Sequence, residues 1–244
     1  MIWGLLALAG IWAGIQNAVA GGGSFITLPA LILSGLDARV ANITSTVALS
    51  VGQVTTGWGG RKSVQGVPGM PVWVMLAISI AGGLVGAQLI LLTPTKVFAD
   101  MVPWLILAAT ALFAWGSFGP KPKEPRAPLS PPLSGVGLFL SSIYGGYFGG
   151  GNGIILVNVL TAAGLAIRAA SATKNVLAAI INVAALGLFL FSPEVVWLKA
   201  VVLGAGAMLG GAIGNMVLNR INERLLRIAI VVIGVVLSAM LFLR

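Results

Sequence analysis

The chain contains no cysteine and no histidine, and only five of its 244 residues are acidic. Without cysteine it can form no disulfide and no thiolate metal site. Without histidine it has no imidazole to relay protons or to bind a metal. Charged residues make up 8% of the chain, whereas a soluble domain carries about 25%. These absences exclude an ordinary soluble domain, and we expect neither a metal site nor a cofactor.

Hydrophobic residues, by contrast, make up 58% of the chain, and its mean hydropathy is +1.06. Apolar runs of about 20 residues, the length of a membrane-spanning helix, recur along the whole chain. The sequence therefore predicts an all-α polytopic membrane protein that has the lipid bilayer as a partner. The net charge of +9 lies mainly in loops between these runs, as the positive-inside rule expects, so we predict no nucleic acid partner.

The apolar runs define ten segments, five on each side of a proline-rich, charged linker at residues 119–132. The first five, A to E, are Ile2–Ala20, Ser24–Leu33, Ala41–Trp58, Met70–Leu92 and Met101–Phe118. The second five, A′ to E′, are Leu133–Phe148, Gly153–Ala163, Ala169–Phe191, Val195–Leu218 and Leu225–Leu243. We predict a first transmembrane repeat at residues 1–118 and a second at residues 133–244.

Matching motifs support this division into repeats. The triple glycine at residues 21–23 recurs 128 residues later, at 149–151, and GGLVGA at 82–87 matches GGAIGN at 210–215 with the same offset. LDARVANITSTV, at 36–47, matches LAIRAASATKNV 129 residues later, which aligns Arg39 with Arg168. Such an internal duplication is typical of transporter folds. The two arginines are expected to be interfacial anchors or gates.

Loop charges indicate how the repeats are oriented. Positive charge concentrates at Arg61 and Lys62 after C, in the linker, and at residues 220–227 in the D′–E′ loop and at its edge. The D–E loop, by contrast, balances Lys96 with Asp100. Positive loops are cytoplasmic, so positive charge follows the third segment in one half and the fourth in the other. This pattern predicts inverted repeats with an odd number of crossings each and with both chain ends outside the cytoplasm.

Segments B and B′ are too short to cross the membrane as helices. About ten helical residues cover ~15 Å, which is half of the ~30 Å hydrocarbon core. We therefore predict broken or re-entrant half-helices, each preceded by a triple glycine and opened by a residue suited to capping, Ser24 or Asn152. Glycine loops before helix N-termini are sites for anions. The predicted substrate-binding residues here are Gly21, Gly22, Gly23, Ser24, Gly149, Gly150, Gly151 and Asn152.

The other pair of glycine motifs, at 82–87 and 210–215, has a simpler interpretation. Small residues allow membrane helices to approach one another closely. These glycines stand inside long apolar segments, with no short helix after them. We therefore predict that they serve helix packing.

Segments C and C′ each carry a polar stripe on one helix face. In C′ the stripe is Ser171, Lys174, Asn175, Ala178 and Asn182, and in C it is Asn42, Ser45, Thr46, Leu49 and Gln53. The predicted substrate-binding members are Asn42, Thr46, Gln53, Lys174, Asn175 and Asn182. Interhelical hydrogen bonds, worth ~0.6 kcal/mol each, are the alternative for the neutral side chains. Gln16 and Tyr144, each five residues before a triple glycine, are candidates for cavity lining.

Lys174 is costly in an apolar helix, because a cation at mid-membrane costs ~2.5–3.5 kcal/mol. The five carboxylates of the chain lie in predicted loops or at segment edges, so none of them pairs with it. An anionic ligand is the natural partner, and extension of the side chain to the membrane interface is the alternative.

The stretches AGGGSFITLPALILSGLDARVANITSTVA and YGGYFGGGNGIILVNVLTAAGLAIRAASATKN resemble the two repeat signatures of the TauE/SafE family of sulfite and organosulfonate exporters. The resemblance covers nearly the whole chain. It implies a multi-pass transporter of small sulfur-containing anions in a bacterial or archaeal cytoplasmic membrane. The second half departs from the first at Val157, which takes the place of Pro29.

Both lines of reasoning predict a secondary transporter that exports a small anion by alternating access. The half-helix N-termini and Lys174 would bind the anion near the midplane. An anion channel with inverted repeats, an ion-coupled importer of a related sulfur compound, and a membrane scaffold are the alternatives. An intramembrane enzyme with Ser171 and Lys174 as nucleophile and base lacks any further catalytic group, so we predict no enzymatic activity. The oligomeric state is left open.

Overall fold

The computed structural model describes residues 2–19, 21–119, 127–217 and 223–243. These residues form ten α-helices, a short 3₁₀ turn at Arg61–Ser63, and no strand. The first five helices are α1 (Ile2–Val19), α2 (Ser24–Leu33), α3 (Ala38–Gly60), α4 (Val72–Leu92) and α5 (Thr95–Phe118). The last five are α6 (Pro131–Tyr147), α7 (Asn152–Ala162), α8 (Ile167–Phe189), α9 (Trp197–Val217) and α10 (Glu223–Phe242).

The ten helices correspond one to one with the ten predicted segments, and α2 has the predicted bounds. The main correction concerns α5, which begins at Thr95 just after Pro94. Lys96 and Asp100 therefore lie in its first two turns rather than in a loop, because the apolar run alone does not include the polar end of the helix. The ends of A and D′, at Ala20 and Leu218, lie outside the described residues.

The linker ends earlier in the sequence than predicted, because the helix after it begins earlier. Helix α6 begins at Pro131, and proline suits the first helical position because its missing N–H would have no helical partner there. The N–H of Leu129 donates to the carbonyl oxygen of Ala162 at 2.9 Å, so the end of the linker is held against the end of α7. Linker residues 120–126 and Arg220 lie outside the described part of the chain. Arg224 and Arg227 lie in the first turns of α10.

The helices of the two halves interlock. Helix α1 packs on α9, and its counterpart α6 packs on α4. Helix α3 packs on α9, and its counterpart α8 packs on α4. Two further contacts join counterparts directly, α3 with α8 and α5 with α10. Each of these contacts has a counterpart when the two halves are exchanged, so each half supplies packing partners for the other.

The two glycine motifs in α4 and α9 serve this packing, as predicted. A Cβ on Gly86 would overlap the carbonyl oxygen of Ile143 in α6. A Cβ on Gly210 would overlap the carbonyl oxygen of Ile11 in α1. Backbones this close tolerate only glycine, which is how small residues bring membrane helices together.

Among the described residues, four helices are long and apolar enough to cross a membrane: Val72–Leu92, Thr95–Phe118, Ile167–Phe189 and Trp197–Gly214. Large apolar side chains cover the outside of the protein, and all seven tryptophans are exposed. An apolar exterior of this kind suits contact with lipid, and tryptophan favours the membrane interface. The fold class predicted from the sequence, an all-α polytopic membrane protein, is confirmed.

Candidate functional site

Two glycine turns interrupt the helices where the sequence predicted breaks. The first glycine turn, residues 21–23, joins α1 to α2, and the second, residues 149–151, joins α6 to α7. The backbone φ angles are +80° at Gly21, +86° at Gly22, +75° at Gly149 and +73° at Gly151. This left-handed region is strained for residues that carry a Cβ. The backbone conformation therefore requires glycine at these positions.

Each glycine turn is stabilised by the side chain six residues before its middle glycine. The Gln16 Nε2 atom donates to the Gly22 carbonyl oxygen at 2.7 Å. Its counterpart, the Tyr144 hydroxyl, donates to the Gly150 carbonyl oxygen at 2.5 Å. Gln16 and Tyr144 were predicted as candidates for cavity lining. The structure places them behind the turns instead, where they satisfy backbone carbonyls that the broken helices leave unpaired.

Ser24 and Asn152 are not helix caps, contrary to the prediction from their residue types. The N-cap positions belong to Gly23 and Gly151, and neither has a side-chain cap. Because the glycines make the turns, Ser24 and Asn152 become the first helical residues. The N–H of Gly23 instead donates to the Asn17 Oδ1 atom at 2.7 Å.

The N-termini of the two short helices meet. A Cβ on Gly21 would lie 3.5 Å from the Cα of Gly153, in the first turn of α7. A Cβ on Gly149 would lie 3.9 Å from the Ser24 Oγ atom, in the first turn of α2. The backbone N–H groups of Ser24 and Gly153 have no acceptor within the described ranges. Unpaired N–H groups and the positive ends of two helix dipoles therefore converge on one place.

A cavity of about 30 Å³, here called the central cavity, lies at this meeting point. Nine of the predicted substrate-binding residues line it: Gly21, Gly22, Ser24, Gln53, Gly149, Asn152, Lys174, Asn175 and Asn182. Five further residues line it that were not among the predicted set: Asn17, Thr56, Gly145, Gly153 and Ala178.

Lys174 is the one cation among the described residues of this lining. Its side chain is buried, with 6% of the residue exposed. The Nζ atom lies 3.9 Å from where a Cβ on Gly21 would stand and 3.8 Å from the corresponding point on Gly153. Within the described part of the chain, Nζ has no hydrogen-bond or ion-pair partner. The buried side chain therefore points between the two helix N-termini.

Two amides line another side of the central cavity and bond to each other. The Asn182 Nδ2 atom donates to the Gln53 Oε1 atom at 2.6 Å. These residues are counterparts in the repeat alignment, and their hydrogen bond joins α3 to α8. The Ser50 hydroxyl also donates to the Asn182 carbonyl oxygen at 3.2 Å.

Other predicted site residues do not line the central cavity. Asn42 donates from Nδ2 to the Tyr147 carbonyl oxygen at 3.0 Å, and the Thr46 hydroxyl donates to the Asn42 carbonyl oxygen at 3.0 Å. The Asn42 bond runs from α3 to α6 and is an interhelical hydrogen bond, the alternative interpretation for this stripe, whereas the Thr46 bond lies within α3. Ser171 is exposed, whereas Lys174 is buried, and no hydrogen bond joins the two within the described part of the chain. Gly23, Gly150 and Gly151 form the turns without lining the cavity.

Asn17 is the main functional candidate that sequence reasoning missed. The repeat alignment pairs it with Gly145, so it belongs to no duplicated polar position. The usable signal was its amide in the last turn of an apolar helix, four residues before a triple glycine.

The chemistry of the central cavity suits an anion. Its lining combines an unpaired ammonium, unpaired backbone N–H groups and neutral amides, and no carboxylate stands among the described lining residues. Hydrogen bonds between such donors and an anion are charge-assisted and stronger than neutral ones.

Comparison with known proteins extends these observations. Residues 6–241 match the family model described as sulfite exporter TauE/SafE. A probable membrane transporter protein of Haemophilus influenzae is 30% identical over 241 residues, covering 96% of this chain and 92% of its own length. The probable membrane transporter protein ORF9 of a Sinorhizobium species is 28% identical, covering 96% and 89%. YfcA of Escherichia coli, also named a probable membrane transporter protein, is 25% identical, covering 99% and 90%.

The match extends over nearly the whole chain and includes both glycine turns and Lys174. The names of the relatives and the four long apolar helices agree on an integral membrane protein of the transporter class. The resemblance seen in the sequence is thereby confirmed. The chain belongs to the sulfite exporter TauE/SafE family.

Proposed function

We propose that the protein exports a small sulfur-containing oxyanion, such as sulfite or an organosulfonate, across a bacterial or archaeal cytoplasmic membrane. The observation that carries this proposal is the position of Lys174. Its ammonium is buried between the N-termini of α2 and α7 and has no partner among the residues that the structure describes. A buried cation without a counter-ion is unfavourable, so an anion that binds there removes an energetic cost while it gains hydrogen bonds.

The transport cycle follows from two inverted repeats, residues 1–118 and 133–244, joined by a cytoplasmic linker. Three observations support this arrangement: the exchange of packing partners between the halves, the Gln53–Asn182 hydrogen bond between counterparts, and the change in position of the positive loops. Rocking of one repeat against the other would expose the central cavity to each side in turn. At about 30 Å³, the cavity has room for water but little more, so the repeats must separate to admit a sulfonate.

The membrane potential favours export of an anion. Moving one negative charge out of a negative interior gains ~2.3 kcal/mol per 100 mV. That gain corresponds to about 50-fold accumulation outside for each charge. Export therefore needs no coupled cation.

Proteoliposomes with an imposed potential and labelled sulfite test the proposal. We expect saturable sulfite flux that increases when the potential is negative on the substrate side. Lys174→Met and Ser24→Leu should each abolish this flux. Arg168→Met is the matched control, because it removes an exposed cation from the same helix. Flux that does not saturate would indicate a channel, and flux that requires a cation gradient would indicate a coupled importer. Unchanged flux in both cavity variants would overturn the site.

A further inference from the structure

The described residues that line the central cavity carry ionisable groups of positive sign alone. Lys174 is its cation, and the carboxylates of the described residues lie elsewhere. Asp37 caps α3, Asp100 lies in the second turn of α5, and Glu194 pairs with Arg39. Within the described ranges, a ligand bound beside Lys174 therefore meets a positive charge and no negative one.

Two of the cavity amides are held so that they present donors. The Asn17 Oδ1 atom accepts the N–H of Gly23 at 2.7 Å, which fixes the amide orientation because a backbone N–H can only donate. The Asn152 Oδ1 atom accepts the Ser141 hydroxyl at 2.9 Å. Both oxygens are thus occupied, while neither NH₂ group has a protein partner in the described residues.

Gly145 leaves the space that Asn152 occupies. A Cβ on Gly145 would overlap the Asn152 Nδ2 atom, so the amide lies directly over the glycine. In the first half the large and small side chains change places. Asn17 occupies the position that matches Gly145, and Ser24 occupies the position that matches Asn152. Each half therefore supplies one cavity amide close to its glycine turn, from α1 in the first half and from α7 in the second.

We propose that the central cavity selects oxyanions that carry no cationic group. It accepts sulfite, or a sulfonate whose remaining part is neutral, and it rejects aminosulfonates such as taurine. This inference rests on the proposed function and narrows its substrate class. The ammonium of a two-carbon aminosulfonate stands close to its sulfonate, so it would be repelled by Lys174. It would also be buried without a carboxylate to pair with, which is a further penalty.

Isethionate and taurine test the inference directly, because they share a two-carbon sulfonate and differ in a hydroxyl against an ammonium. Titration calorimetry on the full chain in detergent measures both affinities. We expect isethionate to bind at least about tenfold more tightly than taurine. Equal affinities would overturn the selectivity and leave the proposed function standing. If neither isethionate nor sulfite binds, the proposed function fails and this inference fails with it.

Asn152→Asp provides a second test. One carboxylate oxygen can still accept the Ser141 hydroxyl, and the other replaces the NH₂ group and offers the cavity a negative charge. We expect the preference for isethionate over taurine to fall by about tenfold or more, because the ammonium gains a partner. Asn158→Asp, the same change at an exposed position of α7, should leave the preference unchanged. An unaltered preference in Asn152→Asp would contradict the inference.

Discussion

Arg39 at the start of α3 forms an ion pair with Glu194, in the connection between α8 and α9. The two side chains are 11% and 27% exposed, and Arg39 also donates to the Leu91 carbonyl oxygen at 3.1 Å. Lys199 makes a second contact between the halves, donating to the Ser34 carbonyl oxygen at 2.7 Å. The repeat counterpart of Arg39, Arg168, is exposed. Of the two arginines, Arg39 therefore joins the halves at one edge of the protein.

A double-mutant cycle tests this ion pair. We expect Arg39→Gln and Glu194→Gln each to lower the free energy of unfolding by about 1–3 kcal/mol, because each leaves a half-buried charge without its partner. The double variant should lose less than the sum of the two, with a coupling energy of about 1–2 kcal/mol. Unfolding of the purified protein in detergent provides the measurement. Strictly additive losses would show that the pair contributes nothing.

The two tyrosines of the chain provide a matched test of the second glycine turn. Tyr144→Phe removes the donor to the Gly150 carbonyl oxygen, and we expect it to cost about 1–3 kcal/mol in unfolding free energy because a buried acceptor is left unpaired. The Tyr147 hydroxyl makes long contacts, 3.3 Å to the Thr93 Oγ1 atom and 4.0 Å to the Met101 Sδ atom. Tyr147→Phe should therefore cost less, and a reversed order would contradict the role given to Tyr144.

Alanine substitutions at Gly21 and Gly187 distinguish the effect of backbone strain from the general effect of replacing glycine by alanine. Gly21→Ala puts a Cβ on a left-handed residue, which costs about 1–2 kcal/mol. It also brings that Cβ to 3.9 Å from the Lys174 Nζ atom. We expect lower stability and weaker sulfite binding. A Cβ at Gly187, in α8, would meet no packing neighbour within 4 Å among the described residues, so Gly187→Ala should stabilise the protein by about 0.4–1 kcal/mol. Full sulfite affinity in Gly21→Ala would argue against a site at the first glycine turn.

The sequence predicted the helices well because apolar runs and glycine breaks are local features. Segment B was correct to the residue, since a triple glycine precedes it and the loop before Arg39 follows it. Helix α5 was placed too late because its polar first turns carry no hydropathy signal. The duplication predicted that both glycine turns belong to one site.

What the sequence did not predict depends on side-chain direction across helices. The polar stripe of α3 lies on one helix face, yet only Gln53 among its predicted binding residues lines the central cavity, while Asn42 and Thr46 bond to backbone carbonyls. Periodicity gives a helix face but not the partner that this face meets. The prediction that Gln16 lines the cavity was wrong for the same reason. The sequence gives its separation from the glycine turn but not its hydrogen-bond partner, the Gly22 carbonyl oxygen.

The most direct test of the account is the location of a bound anion. Selenite is the selenium analogue of sulfite, and the selenium edge would locate it by anomalous diffraction from crystals of the full chain. We predict one anomalous peak within about 4 Å of the Lys174 Nζ atom, between Gly21 and Gly153, and its loss in Lys174→Met. A peak at an exposed basic residue such as Arg168, or no peak in the central cavity at a saturating selenite concentration, would contradict the account.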